Sequence, residues 1–308
     1  MNKWPVISCD YATDRGAVET CTVEIPVGTS SADKVVVFGE DGYLFVYTGG
    51  NDICAQYLMS EDDAQVVAGQ WNALIQLRRE RAQAGNFRFL QMIIPEKSSL
   101  LPDKTPFQAF PGTPIMRAVS HAQDQWVDYL DVRDLFDAEE ALHAFPKANG
   151  HMAPFGTSRA FQVALEQLGF EPPAIAFGAP VLTRSDLGDH FSGMTFYNRV
   201  AQPVSPEIEI YRSGLRLVEC GSTEGHIGQS RTWNNPTAPI KKRVLAFANS
   251  FFERGDGPAG LSWWFATWFE DFKFVWAPEL DPAEVEAYRP DIVICQTIER
   301  FMVVVPGR

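Results

Sequence analysis

A serine between a buried strand and a tight turn can be presented as a nucleophile, and Ser250 in Ala248-Asn249-Ser250-Phe251 has that setting. The run Val244-Leu245-Ala246-Phe247 before it is apolar enough for a buried strand. A helix starting soon after would direct backbone amides at developing negative charge. The same pattern equally describes an ordinary helix cap. A serine nucleophile needs a base, and the chain has five histidines, His121, His143, His151, His190 and His226. His151 lies in Lys147-Ala148-Asn149-Gly150-His151-Met152, a loop leading into a helical pattern, and Asn149 two residues earlier is placed to orient the imidazole. The plain alternative is a surface-loop histidine. His190 beside Asp189 is the rival base, although adjacent side chains seldom point together.

Other features have two readings each. Glu96-Lys97 follows a strand pattern and is either a charged turn or, through Lys97, a substrate contact. Gly49-Gly50-Asn51-Asp52 lacks the Lys-Ser or Lys-Thr of a phosphate loop, which argues against nucleotide binding, while Asn51 can still line a cleft. Lys241-Lys242-Arg243 suits a strand edge better than an anionic sugar. Trp263, Trp264 and Trp268 recur at helical spacing, as core residues do more often than sugar platforms.

These residues need a scaffold, and the hydrophobic pattern supplies one. Strand and helix patterns alternate from residue 35 onward: strands at 35–38 and 43–46 around the Asp41-Gly42 turn, a helix at 61–84, and a strand at 87–94. Then come strands at 126–131 and 174–177 flanking a helix at 155–168, a second hairpin at 207–218, and strands at 243–247, 273–276 and 291–295. Helices at 260–269 and 284–288 separate these last strands. The alternation predicts an α/β fold with a mostly parallel central sheet flanked by helices. Residues 1–34, with one strand pattern at 22–27, form an N-terminal extension to a 35–308 domain that carries a β-hairpin insertion near 190–235.

Composition narrows the function classes. Against 26 Lys and Arg stand 39 Asp and Glu, a formal charge of −13, which argues against nucleic acid as partner. No apolar run approaches the roughly 18 residues of a membrane span. The first residues lack the charged and then apolar blocks of a secretory signal, so a cytoplasmic location is expected unless a leader was removed. Five scattered cysteines without a Cys-x-x-Cys pair read as reduced thiols, with no metal site implied.

Several segments also occur in the order expected of one family. They are Gly39 to Phe45, Ile94-Pro95-Glu96-Lys97-Ser98 with Leu101-Pro102-Asp103, Lys147 to His151, Asp186-Leu187-Gly188-Asp189, Ala248 to Phe251, and Pro290 to Ile294 with Glu299-Arg300. From about residue 35 to the C-terminus the chain resembles the SGNH-hydrolase-like polysaccharide O-acetyltransferases typified by the alginate acetyltransferases. The resemblance implies a Ser-His-Asp triad in which an Asp-x-His pair precedes the serine, a permuted order relative to ordinary SGNH esterases. It places His151 on the base and Ser250 on the nucleophile. Asn149 falls where the family has Asp, Asn249 where it usually has the Asp of Gly-Asp-Ser-Phe, Met152 in place of Trp, and Ala248 in place of Gly.

The leading expectation is acyl transfer to carbohydrate in polysaccharide biosynthesis or modification. Ser250 attacks an acetyl carbonyl, His151 carries the proton, Asn149 orients His151, and Asn249 with backbone amides stabilises the oxyanion. Lys97 and Asn51 are the substrate-binding candidates. An acetylesterase would use the same residues. The acetyl donor is open, no cofactor is called for, and a cytoplasmic protein would meet nucleotide sugars, lipid-linked intermediates or a glycosyltransferase partner. The alternative is a catalytically degenerate glycan-binding or scaffolding protein, which the two missing carboxylates favour.

Overall fold

The computed structural model describes residues 25–192, 195–253 and 257–307. Part of the strand expected at 22–27 lies outside them, and residues 25–27 are not in a strand. The strands are β1 (Val36–Phe38), β2 (Leu44–Val46), β3 (Arg88–Ile94), β4 (Tyr129–Asp131), β5 (Phe177–Arg184) and β6 (Tyr197–Pro203). They continue as β7 (Arg216–Gly221), β8 (Ser230–Asn234), β9 (Ile240–Ala248), β10 (Phe269–Trp276) and β11 (Ile292–Ile298). A seven-stranded sheet runs in the order β4-β3-β11-β9-β10-β8-β7. Its first five strands are parallel and its last two antiparallel. The fold is thus α/β with a mostly parallel central sheet.

Both faces of that sheet are covered, as the continuous apolar runs of its central strands require. In β9 successive side chains alternate: Val244, Ala246 and Ala248 pack into one core with Phe161, Trp264, Phe265 and Trp268. Leu245 and Phe247 pack into the other with Trp71, Leu74, Ile75 and Met116. The first core is roofed by the helices Pro154–Gln167 and Leu261–Trp268. The second is roofed by Glu61–Gly85 and Pro114–Gln123. Trp264 and Trp268 are buried, and the guanidinium of Arg212 lies 4.4 Å from the ring centroid of the half-buried Trp263, so the tryptophan set is structural.

The long helix starts at Glu61 because Ser60 Oγ accepts the Asp63 N–H at 3.1 Å, and three acidic residues occupy its first turn. It ends where Asn86 turns left-handed, at φ 54°.

Two expectations are corrected. Residues 174–176 are irregular, and β5, which follows, pairs antiparallel with β6 in a two-stranded ribbon outside the central sheet. The hairpin expected at 207–218 is instead a helix, Pro206–Arg212, followed by β7. Ile208 and Tyr211 face the core three residues apart while Ile210 is exposed, so Ile208 and Ile210 imitate strand alternation on a helix begun by Pro206. The antiparallel pair of this region is β7 with β8, which extends the central sheet at one edge. The helices Ile53–Tyr57, Pro114–Gln123 and Ala138–Ala144 were not foreseen.

Candidate active site

Five parallel strands end on one edge of the sheet, and the functional candidates follow directly from three of them. β9 leads into Asn249-Ser250, β3 into Glu96-Lys97 and β11 into Glu299-Arg300. This carboxyl edge is where open α/β sheets place ligands. The basic run Lys241-Lys242-Arg243 lies at the opposite end of β9, paired with Glu270, Asp291 and Asp271.

Ser250 stands on a hydrogen-bonded turn. The Phe252 N–H donates to the Asn249 carbonyl at 2.9 Å, and Asn249 Oδ1 accepts the Phe251 N–H at 3.1 Å. The Asn249 N–H donates to Gln296 Oε1 at 3.2 Å, fixing the turn to β11. The helix expected just after the serine begins only at Leu261, whose N–H donates to the Phe251 carbonyl at 3.0 Å. The Ser250 N–H has no acceptor among the described residues. Asn249 therefore shapes the turn through its side-chain oxygen.

His151 Nε2 lies 2.8 Å from Ser250 Oγ. The imidazole packs on Phe251, with ring centroids 4.7 Å apart, and Phe251 is itself buried. His190, the rival base, instead hydrogen-bonds Asp33 at 2.6 Å.

The third member is not Asn149. His151 Nδ1 lies 2.7 Å from Asp186 Oδ2, whose other oxygen accepts the N–H groups of Gly150 and Leu187 at 2.8 and 2.7 Å. Asp186 caps the single helical turn Leu187–His190, which fixes its carboxylate toward the His151 loop. Asn149 Oδ1 is buried without a partner among the described residues, and the residue serves the site through its main-chain carbonyl. The signal that could have found Asp186 was present, because Asp186-Leu187-Gly188-Asp189 is one of the segments that carry the family resemblance.

Lys97 is not a substrate contact. It is 3% exposed, and its ammonium donates to the carbonyls of Pro146, Lys147 and Asn149 at 3.1, 2.9 and 2.7 Å. All three carbonyls belong to the approach to His151, so the one side chain clamps the base-bearing loop. Burial brings the Lys97 ammonium down to about 7, against the opposing pull of the Asp186 and Glu96 carboxylates.

Glu299 braces the same edge from below. Its Oε2 accepts the Glu96 N–H and Ser99 Oγ–H at 2.8 and 2.7 Å, and its Oε1 accepts the Thr113 N–H. Complete burial pushes its carboxyl up to about 7, although all three partners favour the ionised form. Arg300 pairs with Glu96 beside it.

A cavity of about 490 Å³ borders the nucleophile turn through Ala248 and Asn249. Asn51 lines it from the loop after β2, where its carbonyl accepts Gln56 Nε2 at 2.8 Å. Gln296, Thr297 and Trp276, none singled out from the sequence, line it from the ends of β11 and β10. The sequence candidates thus divide: Ser250 and His151 meet, Asn249 and Lys97 position them, and Asn51 lies on the adjoining cavity.

No protein-family profile and no curated protein sequence matches the chain. Solved structures do. PatB1 of Bacillus cereus, determined with a sulfonyl adduct, superposes with a TM-score of 0.58 at 11% identity, over 88% of this chain and 97% of that one. The O-acetyltransferase domain of Pseudomonas putida AlgJ gives 0.52 at 14% identity, over 87% and 92%. A DHHW family protein from Eubacterium siraeum gives 0.53 at 11%, over 92% and 96%. The chain therefore has the fold of these proteins, an acetyltransferase domain among them. Among the described residues, no helix is long and apolar enough to cross a membrane.

Proposed function

We propose that the chain is a Ser-His-Asp acyl-transfer enzyme that moves an acetyl group onto a carbohydrate hydroxyl. The observation that carries the reading is the relay from Ser250 Oγ to His151 Nε2 at 2.8 Å and from His151 Nδ1 to Asp186 Oδ2 at 2.7 Å. Its order along the chain, His151 then Asp186 then Ser250, keeps the base ahead of the nucleophile as in the permuted arrangement. The carboxylate missing at position 149, which favours a non-catalytic glycan binder, is supplied by Asp186. Support for acetyl as the group comes from the shared fold with the AlgJ O-acetyltransferase domain, and for carbohydrate as the class from the family that the sequence segments resemble.

Ser250 Oγ attacks the acetyl carbonyl while His151 Nε2 takes its proton, and Asp186 holds the imidazole in the tautomer that can accept it. The Ser250 N–H is a backbone donor for the oxyanion. His151 then protonates the leaving group, giving acetyl-Ser250. An acceptor hydroxyl attacks this ester with His151 as base, and Ser250 is regenerated. Water in place of the acceptor gives the esterase reaction.

The test is hydrolysis of an activated aryl acetate by wild type, Ser250→Ala and His151→Ala, with the acetyl adduct followed by intact-protein mass spectrometry. Turnover and an adduct in wild type, with both absent in Ser250→Ala, are expected. Equal inertness of all three proteins would sink the reading.

A further inference from the structure

We propose that the cavity beside the nucleophile turn is a second binding site, independent of the acyl-transfer reading, and that it takes an organic carboxylate with an aliphatic body. Arg78 meets the charge of that ligand, and the apolar wall meets its chain. The cavity's volume of about 490 Å³ lies within the roughly 300–1,000 Å³ usual for small-molecule sites. Its lining runs from Arg78 on the long helix Glu61–Gly85 to the segment that follows β11.

Arg78 is a buried cation without a counter-ion. It is 2% exposed, and its two terminal nitrogens donate to neutral acceptors, Gln91 Oε1 at 2.7 Å and the Pro278 carbonyl at 2.8 Å. Its Nε has no acceptor among the described residues. A guanidinium keeps its proton in proteins, so burial cannot be relieved by loss of the charge. Glu279 is on the same lining but exposed, and it forms no ion pair with Arg78 among the described residues. Gln296 Nε2, on another buried side chain of the lining, is a second donor without an acceptor, and Nε2 of Gln91, the residue bonded to Arg78, is a third. Surplus donors around a formal positive charge call for an anion with acceptor oxygens. One guanidinium balances one negative charge, which favours a carboxylate over a phosphate dianion.

Much of the remaining lining is apolar, and part of it reaches the surface. Trp71 commits its indole N–H to the Met302 carbonyl at 2.8 Å, so that side chain has no polar group left for a ligand. Val303 and Val305 are half-buried on the same lining, while Ile227 and Val304 stand 63% and 71% exposed. Exposed aliphatic side chains grouped around a cavity mark a site for apolar material. A chain that enters with its carboxylate toward Arg78 covers these side chains and removes their surface from water. The head lies inward because the cation is buried, and the body lies toward the rim because the exposed aliphatic groups are there.

The test is calorimetric titration of the intact protein with octanoate, octanamide, acetate and inorganic phosphate. Octanoate is expected to bind at least about tenfold tighter than each of the other three, since a hydrogen bond to a charged group is worth about that factor. Arg78→Gln is expected to weaken octanoate about tenfold or more and to leave octanamide within about threefold. Val304→Glu alters an exposed position of the lining, removes an aliphatic contact and brings a like charge to the rim, so it reads the site even where Arg78→Gln does not fold. It is expected to weaken octanoate about fivefold or more. Octanamide, acetate or phosphate bound as tightly as octanoate, equal weakening of octanoate and octanamide in Arg78→Gln, or unchanged octanoate affinity in Val304→Glu would each overturn the proposal. No binding of octanoate at millimolar concentration would overturn it as well. The titration contains no ester, so its outcome is separate from that of the aryl acetate test.

Discussion

His151 Nδ1 lies 2.7 Å from Asp186 Oδ2, a carboxylate on the separate loop that follows the ribbon strand β5, and Asn149 in its own loop is not its partner. The carboxylate and the base are joined twice, because Asp186 Oδ1 also accepts the Gly150 N–H at 2.8 Å. Orientation of the ring is therefore tied to the conformation of the loop that bears it.

Exchange of this carboxylate for an amide should cost most of the catalysis. Asp186→Asn leaves a ring partner of the same shape but can stabilise the wrong tautomer and no imidazolium, an exchange that lowers turnover about 10⁴-fold in a serine protease. A fall in kcat of about 10³-fold or more is expected for aryl acetate hydrolysis. Asn149→Ala, which removes a side chain whose oxygen has no partner among the described residues, is expected to stay within about threefold of wild type. The reverse ranking would return the orienting role to Asn149.

Lys97 acts on the same loop through three carbonyls. Lys97→Met keeps the buried stem and removes every donor, leaving those carbonyls unpaired at about 1–3 kcal/mol of stability. Because the loop carries His151, kcat should fall about tenfold while KM for a small ester moves less. Lys97→Arg is expected not to restore kcat, since a planar fork cannot reproduce three donors radiating from one atom. A KM effect larger than the kcat effect would mark Lys97 as a substrate contact after all.

The sequence carried the parallel core because its central strands read as apolar runs, as in Val244-Leu245-Ala246-Phe247, and three of the four roofing helices have their own period. It carried Ser250 and His151 because both stand at the ends of such elements. It failed where tertiary pairing decided the matter. Asn149 stood two residues from His151 and looked like its partner, while Asp186 reaches it only because the Leu187–His190 turn folds back against the loop. Lys97 read as part of a charged turn or as a substrate contact because nothing in Glu96-Lys97 announces that three carbonyls from 146–149 enclose it. The segment at 207–218 misled for a local reason, since Ile208 and Ile210 fit period two as well as the helix that Pro206 starts.

Asn249 separates bracing from oxyanion stabilisation. Its Oδ1 holds the Phe251 N–H at 3.1 Å, a task a carboxylate oxygen performs equally well. Asn249→Asp should therefore keep kcat within about threefold, whereas Asn249→Ala, which frees the turn under Ser250, should lose about tenfold or more. Equal, large losses in both variants would show instead that the side-chain amide donates to the oxyanion.

Glu299 makes stability depend on pH in a direction opposite to that of most carboxylates. Its carboxyl sits near 7 in the folded chain, above the ordinary 4.5, because burial opposes the charge. The native state therefore holds more protons than the unfolded state between those values. The stabilisation from this group is fully present below about 4.5 and is lost as pH rises through 7. The loss amounts to about 1–3 kcal/mol between pH 5 and pH 8. Urea unfolding at the two pH values should show that decline in wild type, and Glu299→Gln, whatever its absolute stability, should show a shallower one. An equal pH dependence in both proteins would mean that the three donors to Glu299 keep it ionised throughout, and that the decline has another source.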